Sequence, residues 1–441
     1  MSEVLRLGLA GLGTVGASLL ELVDRRGSEF SRRFGRSAAV TGVSARDRSK
    51  DRGADLSAFR WFDDPVALAS DSEIDVFVEL VGGADGPAAE AVRAALSAGK
   101  HVVTANKALL AASGQELAEL AERNGVSLNY EAAAAASIPI VKTLRETLAG
   151  DSVRRIYGIL NGTCNYILTR MKREGLDFDA CLADAQRLGY AEADPSFDVD
   201  GNDSAHKLAI LASIAFGTRI DAEAVHVEGI SSITTADLEA AEELGYELKL
   251  LAIATQTDAG IEQRVHPAMV PRGSAIAAID EVTNAVAVEA EFAGQLVLSG
   301  PGAGGHSTAS AVLSDIGDIA RGILLPTFGL PADQLAPHRR AEIRAHEGGY
   351  YLRLTVFDRP GAFAAIAARM ADEEISLESI VQRRGSKSPV TLEHREPTAP
   401  QPVVLITYET NEAAIRAALA KIHDDGHIAA EPQLIRIEAF G

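Results

Sequence analysis

The sequence predicts an α/β protein in three parts: an N-terminal unit built on a parallel sheet, a central α+β unit with a mixed sheet, and a small C-terminal module. Three observations carry this. Strand-like and helix-like stretches alternate through residues 1–135, which is the order of a parallel sheet with crossover helices. Helices then crowd between Cys164 and Phe216 and are followed by strand-like runs such as ELKLLAIATQ, IEQRVHPAMV and NAVAVEAEF, within a unit expected to span 136–323. Past PTFGLPADQLAPHRR, rich in proline and polar residues and read as a linker over 324–346, residues 347–441 run strand, helix, strand, strand, helix, strand.

Composition narrows the function classes. A length of 441 residues allows two to four domains, and 47% hydrophobic with 24% charged content suits a soluble chain with a large core. The net charge of -20 is offset by no local Lys/Arg block, which argues against nucleic acid or an anionic membrane as partner. Cys164 and Cys181 have neither metal-ligand spacing nor a disulfide framework. With no signal-peptide pattern and no apolar run of about 18 residues, the expectation is a cytoplasmic enzyme or sensor.

The first strand, LRLGLAG, runs into GLGTVGASLLELV, which holds Gly11, Gly13 and Gly16 in G-x-G-x-x-G spacing, with Thr14 and Val15 opening an amphipathic helix. Gly11 permits the tight turn, Gly13 admits a pyrophosphate to the backbone, and Gly16 allows close helix packing, with the helix N-terminus facing the anion. This predicts a Rossmann-type dinucleotide site. After the next strand, AAVTGVS, comes Arg46, where an NAD site often has an acidic residue. A guanidinium suits a 2'-phosphate, so NADP is favoured, while Asp47 keeps NAD possible. The alternative is that Arg46, Arg48 and Lys50 form a solvated loop. The strand DVFVELVGG, a helix over 87–98, the strand HVVTA, another helix and the strand VSLNY complete the unit.

In the central unit, DPSFDVDGNDSAHK carries four aspartates and Lys207, with Glu192 just upstream. Laid on a calcium loop, it puts Lys207 where a bidentate glutamate is required, so that reading fails. Asp203 and Lys207 lie four residues apart on one face of a predicted helix. Such a pair is usually a surface salt bridge, but a hydride transfer also needs a proton shuttle, and a lysine with a carboxylate partner can serve as one.

Further motifs surround that pair. YGILNGTCNYIL with LGYAEADPSFDVDGNDSAHKL, VTANKALL and GPGAGGHSTASAVLSDI occur in an order that closely resembles the homoserine dehydrogenase family over nearly the whole chain. The resemblance implies NAD(P)-dependent interconversion of L-homoserine and L-aspartate 4-semialdehyde. It implies that Lys207 is the proton donor or acceptor, that Asp203 is its partner and a substrate contact, and that Glu192 and Asp198 lie near the substrate's amino group. Gly162 and Thr163 match the loop that contacts the substrate, Lys107 a lysine between cofactor and substrate, and Gly189 and Gly302 glycines against the cofactor. Lys107 and Lys207 both remain candidates for the proton-carrying role.

The family also has a sodium or potassium site made by a glutamate and backbone carbonyls. In YEAAAAASIPI this maps to Glu131, Ala134, Ala136 and Ile138, with Ala136 where glycine is usual, at an expected cost if φ must be positive. Glu131 as a structural carboxylate is the alternative. The C-terminal module resembles a ferredoxin-like ACT domain. Its DRPGAF turn, Asp358 to Phe363, is an expected amino-acid site with Asp358 as helix cap, and threonine is the family's usual feedback ligand. A purely dimerising role is the alternative; homodimer or homotetramer is expected. No aspartate kinase segment precedes the dehydrogenase pattern, as in monofunctional members. The competing readings are another semialdehyde dehydrogenase on the same Rossmann half, and a non-enzymatic sensor, which would carry a degraded catalytic patch. A cut near Leu335 is expected to separate chemistry from sensing, since few contacts should cross an exposed boundary.

Overall fold

Short apolar runs bounded by caps and glycines set the N-terminal elements. The computed structural model describes residues 4–53, 55–341, 347–357, 359–382 and 400–440. Strands β1 (Leu5–Ala10), β2 (Ala38–Ser44) and β3 (Arg60–Phe62) lie with β4 (Val76–Glu79), β5 (His101–Thr104) and β6 (Leu128–Asn129) in the order β3-β2-β1-β4-β5-β6. All five pairings are parallel, and β4 is buried throughout because helices cover both faces. Helix α1 (Thr14–Phe34) stops at Gly35, whose φ of 76° terminates it. Asp64 caps α2 (Pro65–Ser70), α3 (Pro87–Ser97) starts with a proline, and Asn106 caps α4 (Lys107–Arg123). The strand order reverses between β1 and β4, which opens a crevice at their C-terminal ends.

The chain turns out of this sheet through α5 (Glu131–Ala135) and α6 (Ile140–Lys142) to β7 (Val153–Ile159). Helices α7 (Gly162–Glu174), α8 (Phe178–Arg187), α9 (Ser196–Val199) and α10 (Asn202–Phe216) follow. The run Leu208 to Ala212 in α10 is wholly buried, as expected of a helix apolar on every side. Next come β8 (His226–Val227), α11 (Thr235–Glu243), β9 (Tyr246–Thr257), β10 (Gly260–Pro271), β11 (Thr283–Ala290) and β12 (Gly294–Pro301). Helix α12 (Gly305–Ala320) then returns to the N-terminal unit, burying Ala309, Val312 and Ile316 in the cluster that holds Leu7, Leu9 and Leu19.

The C-terminal module has β13 (Glu347–Val356), α13 (Ala362–Asp372), β14 (Leu377–Gln382), β15 (Gln401–Thr407), β16 (Thr410–Asn411), α14 (Glu412–Asp424) and β17 (Gln433–Ile437). Its sheet order, β17-β13-β15-β14, is ferredoxin-like. It does not hang on a tether. β17 pairs in parallel with β10, so the central and C-terminal strands make one mixed sheet of 11 strands. The expected linker also clings to the body over 324–341. Phe328, Ala332 and Leu335 are buried, Ala336 bonds to Gly217 and Arg219, and Ile261 bonds to Arg339 and Ala341. Its scattered apolar residues found a surface to cover, which the proline-rich pattern concealed. Asp358, the expected cap in the DRPGAF turn, lies outside the described residues, as do 342–346 of the expected linker. Among the described residues no helix is long and apolar enough to cross a membrane.

Candidate active site

Where β7 ends, Asn161 caps α7 by accepting the Cys164 N–H at 2.8 Å. That fixes its amide, which donates to Asp198 Oδ1 at 2.8 Å and to Asp203 Oδ2 at 3.0 Å. Asp198 comes from the one-turn helix α9 and Asp203 from the first turn of α10; Gly201, at φ 91°, makes the bend between them. One turn along α10, Lys207 Nζ donates to Asp203 Oδ2 at 2.7 Å and to the Leu160 carbonyl at 2.8 Å. Lys107, opening α4 in the N-terminal unit, brings its Nζ to 3.1 Å from Asp203 Oδ1. A single carboxylate thus gathers two lysines and an asparagine from three separate elements.

Asp203 is only 5% exposed. Burial pushes its carboxyl up, but Lys207, Lys107 and the hydrogen bonds outweigh that and hold it well below the usual carboxylate range. Asp198 moves the other way, raised by burial and then by the neighbouring Asp203 charge. His206, next to Lys207 in the chain, is held below the ordinary histidine range by burial and then by Lys107, which favours its neutral form. Lysine ammonium has three hydrogens, and Lys207 spends two on the protein.

These groups line a cavity of about 620 Å³ between the units, walled by Val15, Gly82 and Lys107 on one side and by Gly162, Lys207 and Asn284 on the other. Thr163, Gly189, Asp198 and Gly302 also line it. Thr163 Oγ1 donates to the Tyr190 carbonyl at 2.8 Å and so holds the turn that contains Gly189. A Cβ on Gly302 would stand 1.9 Å from Asn284 Nδ2, so no larger residue fits without displacing that amide. The glycine loop has the shape of an anion cradle: a Cβ would strike Leu80 O at Gly11 and Gly11 O at Gly16, whereas space around Gly13 is open. Thr14 is the first residue of α1, whose first turn holds no acid to repel an anion.

Two expected residues stand apart. Glu192 is exposed on the turn after α8 and does not line the cavity. Arg46 is also exposed, and among the described residues no hydrogen bond or ion pair holds it. At the expected cation position, Glu131 accepts from Val141 N at 2.8 Å and Lys142 N at 2.9 Å. Burial, then the Asp315 charge, push its carboxyl up to about 7. Ala136 does take the positive φ, 49°, that a glycine would adopt more cheaply. Ala134 is buried, and Ile138 N donates to the Ala135 carbonyl. A buried carboxyl beside a turn of positive φ fits the expected cation position, where Lys142 Nζ, 3.5 Å from Asp315, already supplies one positive charge.

Three residues escaped the sequence reading. Asn161 had a signal, as an asparagine directly before a helix. Asn284, which donates to the same Leu160 carbonyl at 2.9 Å, showed only as a polar residue opening an apolar strand. Glu79, fully buried, accepts from Val81 N, Gly82 N and the Thr104 hydroxyl, and so shapes the loop that borders the cavity.

Comparison with known proteins gives the family. Residues 11–131 match the model for the homoserine dehydrogenase NAD binding domain, and residues 139–316 match that for homoserine dehydrogenase. A Neisseria gonorrhoeae homoserine dehydrogenase is 40% identical over 440 residues, 98% of each chain. The crystal structure of one from Thiobacillus denitrificans superposes with a TM-score of 0.92 at 41% identity, covering 100% of this chain and 99% of that one. A hyperthermophilic archaeal homoserine dehydrogenase in complex with NADPH matches at a TM-score of 0.63 and 26% identity, covering 74% of this chain and all of that one. With both family models matched in order and full-length relatives at this identity, the chain belongs to the homoserine dehydrogenase family.

Proposed function

We propose that this oxidoreductase interconverts L-aspartate 4-semialdehyde and L-homoserine with Lys207 as the proton carrier. The observation that carries the reading is the Lys207 ammonium, bonded to Asp203 and Leu160 with one hydrogen left over in a cavity shared by both units. A bound nicotinamide cofactor would supply or take the hydride. In the reducing direction Lys207 donates its remaining hydrogen to the substrate oxygen, and Asp203 stabilises its charged form. Asp198 and Asp203 attract the substrate's ammonium, and Gly162 and Thr163 form the wall beside it. Lys107 neutralises the second oxygen of Asp203 and faces the cofactor side. Glu192, exposed on its turn, approaches the ammonium only if that turn closes.

Gly11, Gly13 and Gly16, with Thr14 and Val15 at the helix start, are assigned to the pyrophosphate, and Gly189 and Gly302 to the nicotinamide end. Arg46 is assigned to a 2'-phosphate, making NADP the preferred cofactor. The NADPH complex of the archaeal relative favours that choice. Sodium or potassium is assigned to Glu131 with the carbonyls of Ala134, Ala136 and Ile138. The C-terminal module is read as an ACT domain that takes threonine as effector, in a homodimer or homotetramer in the cytoplasm, supplying threonine, methionine and isoleucine synthesis. Asp198→Asn tests the substrate assignment: KM for aspartate semialdehyde should rise about tenfold or more while NADPH binding is unchanged, since one charge-assisted contact is lost. An unchanged KM would remove Asp198 from the substrate site.

A further inference from the structure

We infer that Arg436, on the last strand of the C-terminal module, is a positioning residue for the active-site turn that carries Asp198 and Asp203. Arg436 is wholly buried. It donates through Nε and Nη2 to Glu412, both at 2.8 Å, and through Nη1 and Nη2 to Glu228 at 2.8 and 2.9 Å. Glu412 belongs to the module, but Glu228 belongs to the central unit, directly after β8. Since β8 and β17 both pair in parallel with β10, the arginine clamps a loop of the catalytic body that lies along the same edge of that strand.

That loop touches the site's backbone. Glu228 N bonds to Val265 O at 2.8 Å and Ile230 N to Val199 O at 3.0 Å. Between them, a Cβ on Gly229 would stand 2.5 Å from Val199 O and 2.7 Å from Asp200 Cα, and a Cβ on Gly201 would stand 3.0 Å from Val227 Cγ1. Residues 227–230 and 199–201 are thus in direct backbone contact, and Asp198 and Asp203 flank the second segment. Movement of Glu228 has no slack to absorb it before it reaches those carboxylates. The bidentate fork of Arg436 holds both oxygens of Glu228, while His226 Nε2 at 2.8 Å and Arg416 at 3.5 Å reach only Oε1.

The inference rests on the reading of Asp198 and Asp203 as substrate-holding groups. Its test uses full-length Glu228→Gln and Gly229→Ala, with Asp198→Asn alongside. Glu228→Gln keeps the side chain's shape and removes its charge; Gly229→Ala leaves the clamp intact and pushes on the turn. Each should raise KM for aspartate semialdehyde about tenfold to a hundredfold, the scale of a misplacement near 1 Å, with the NADPH dissociation constant within about twofold of wild type. Retained NADPH binding also establishes that each variant is folded. If Asp198→Asn raises KM while both loop variants keep the wild-type value, the clamp is only structural and the inference is overturned. A normal KM in Asp198→Asn instead overturns the substrate reading beneath it. A parallel collapse of NADPH affinity in both loop variants also overturns the inference, because the effect would then be global.

Discussion

Replacing Lys207 by methionine separates chemistry from architecture. The side chain is nearly isosteric, so the helix face stays filled, but the ammonium's bonds to Asp203 at 2.7 Å and Leu160 at 2.8 Å disappear. Asp203 keeps Lys107 at 3.1 Å and Asn161 at 3.0 Å, so its charge is not orphaned. The stability cost should therefore be that of one charged hydrogen bond, about 1.5 to 3 kcal/mol, and not the 3 to 5 kcal/mol of a broken isolated pair. Loss of a positioned acid costs about 10²- to 10⁴-fold in turnover, or roughly 3 to 5 kcal/mol of barrier. The assay is single-turnover absorbance of the reduced nicotinamide, with cofactor affinity measured by its fluorescence. Turnover should fall at least a hundredfold with the cofactor dissociation constant within about threefold of wild type. Lys107→Met, which removes a more exposed lysine bonded to the other oxygen, should lower turnover less. Turnover within tenfold of wild type in Lys207→Met, together with collapse in Lys107→Met, would refute the reasoning and move the proton to Lys107.

Other outcomes follow from single features. Arg46→Ala should weaken NADPH by about ten- to hundredfold and leave NADH nearly unchanged, because only the former offers a 2'-phosphate; equal losses in a binding titration would make Arg46 a solvated loop residue. Cutting after Ala341 should cost soluble, active enzyme, since it removes β17 from β10 and strips Glu438 from the buried Arg264 and His266; a monomeric truncated chain with normal turnover would refute this. Glu131 is pushed up to about 7 and Asp315, chiefly by burial, to about 6. Both folded values exceed the unfolded ones, so the folded state holds the extra protons and stability should fall as pH rises from about 4.5 through 7, by roughly 3 kcal/mol if Glu131 alone titrates. Thermal melts at pH 5.5 and 8 in choline chloride should show the drop, and potassium should reduce it; an identical drop in Glu131→Gln would discard the assignment.

The N-terminal half was legible because its information is local. Gly11, Gly13 and Gly16 announce a turn, Asn106 and Asp64 announce helix starts, and parallel strands separated by one helix each leave few choices of order. The lysines and aspartates proposed for catalysis stand in recognisable motifs, yet their grouping is not written there. Asp203 and Lys207 share a helix face, but Lys107 reaches them only because α4 points into the crevice from another unit, and no spacing encodes that. The sheet is the extreme case. β17 sits between β10 and β13, with more than 160 residues separating the paired Ala268 and Arg436. Its buried charges look in sequence like solvated ones, since Glu412 and Arg436 carry no local sign of burial, and their partner Glu228 is only half-buried. A buried arginine is tolerable only if both carboxylates stay in place, and one of them lies in the loop against the active-site turn. The module that the sequence presents as an appendage is therefore bound into the catalytic body by the same groups that make its last strand possible to bury.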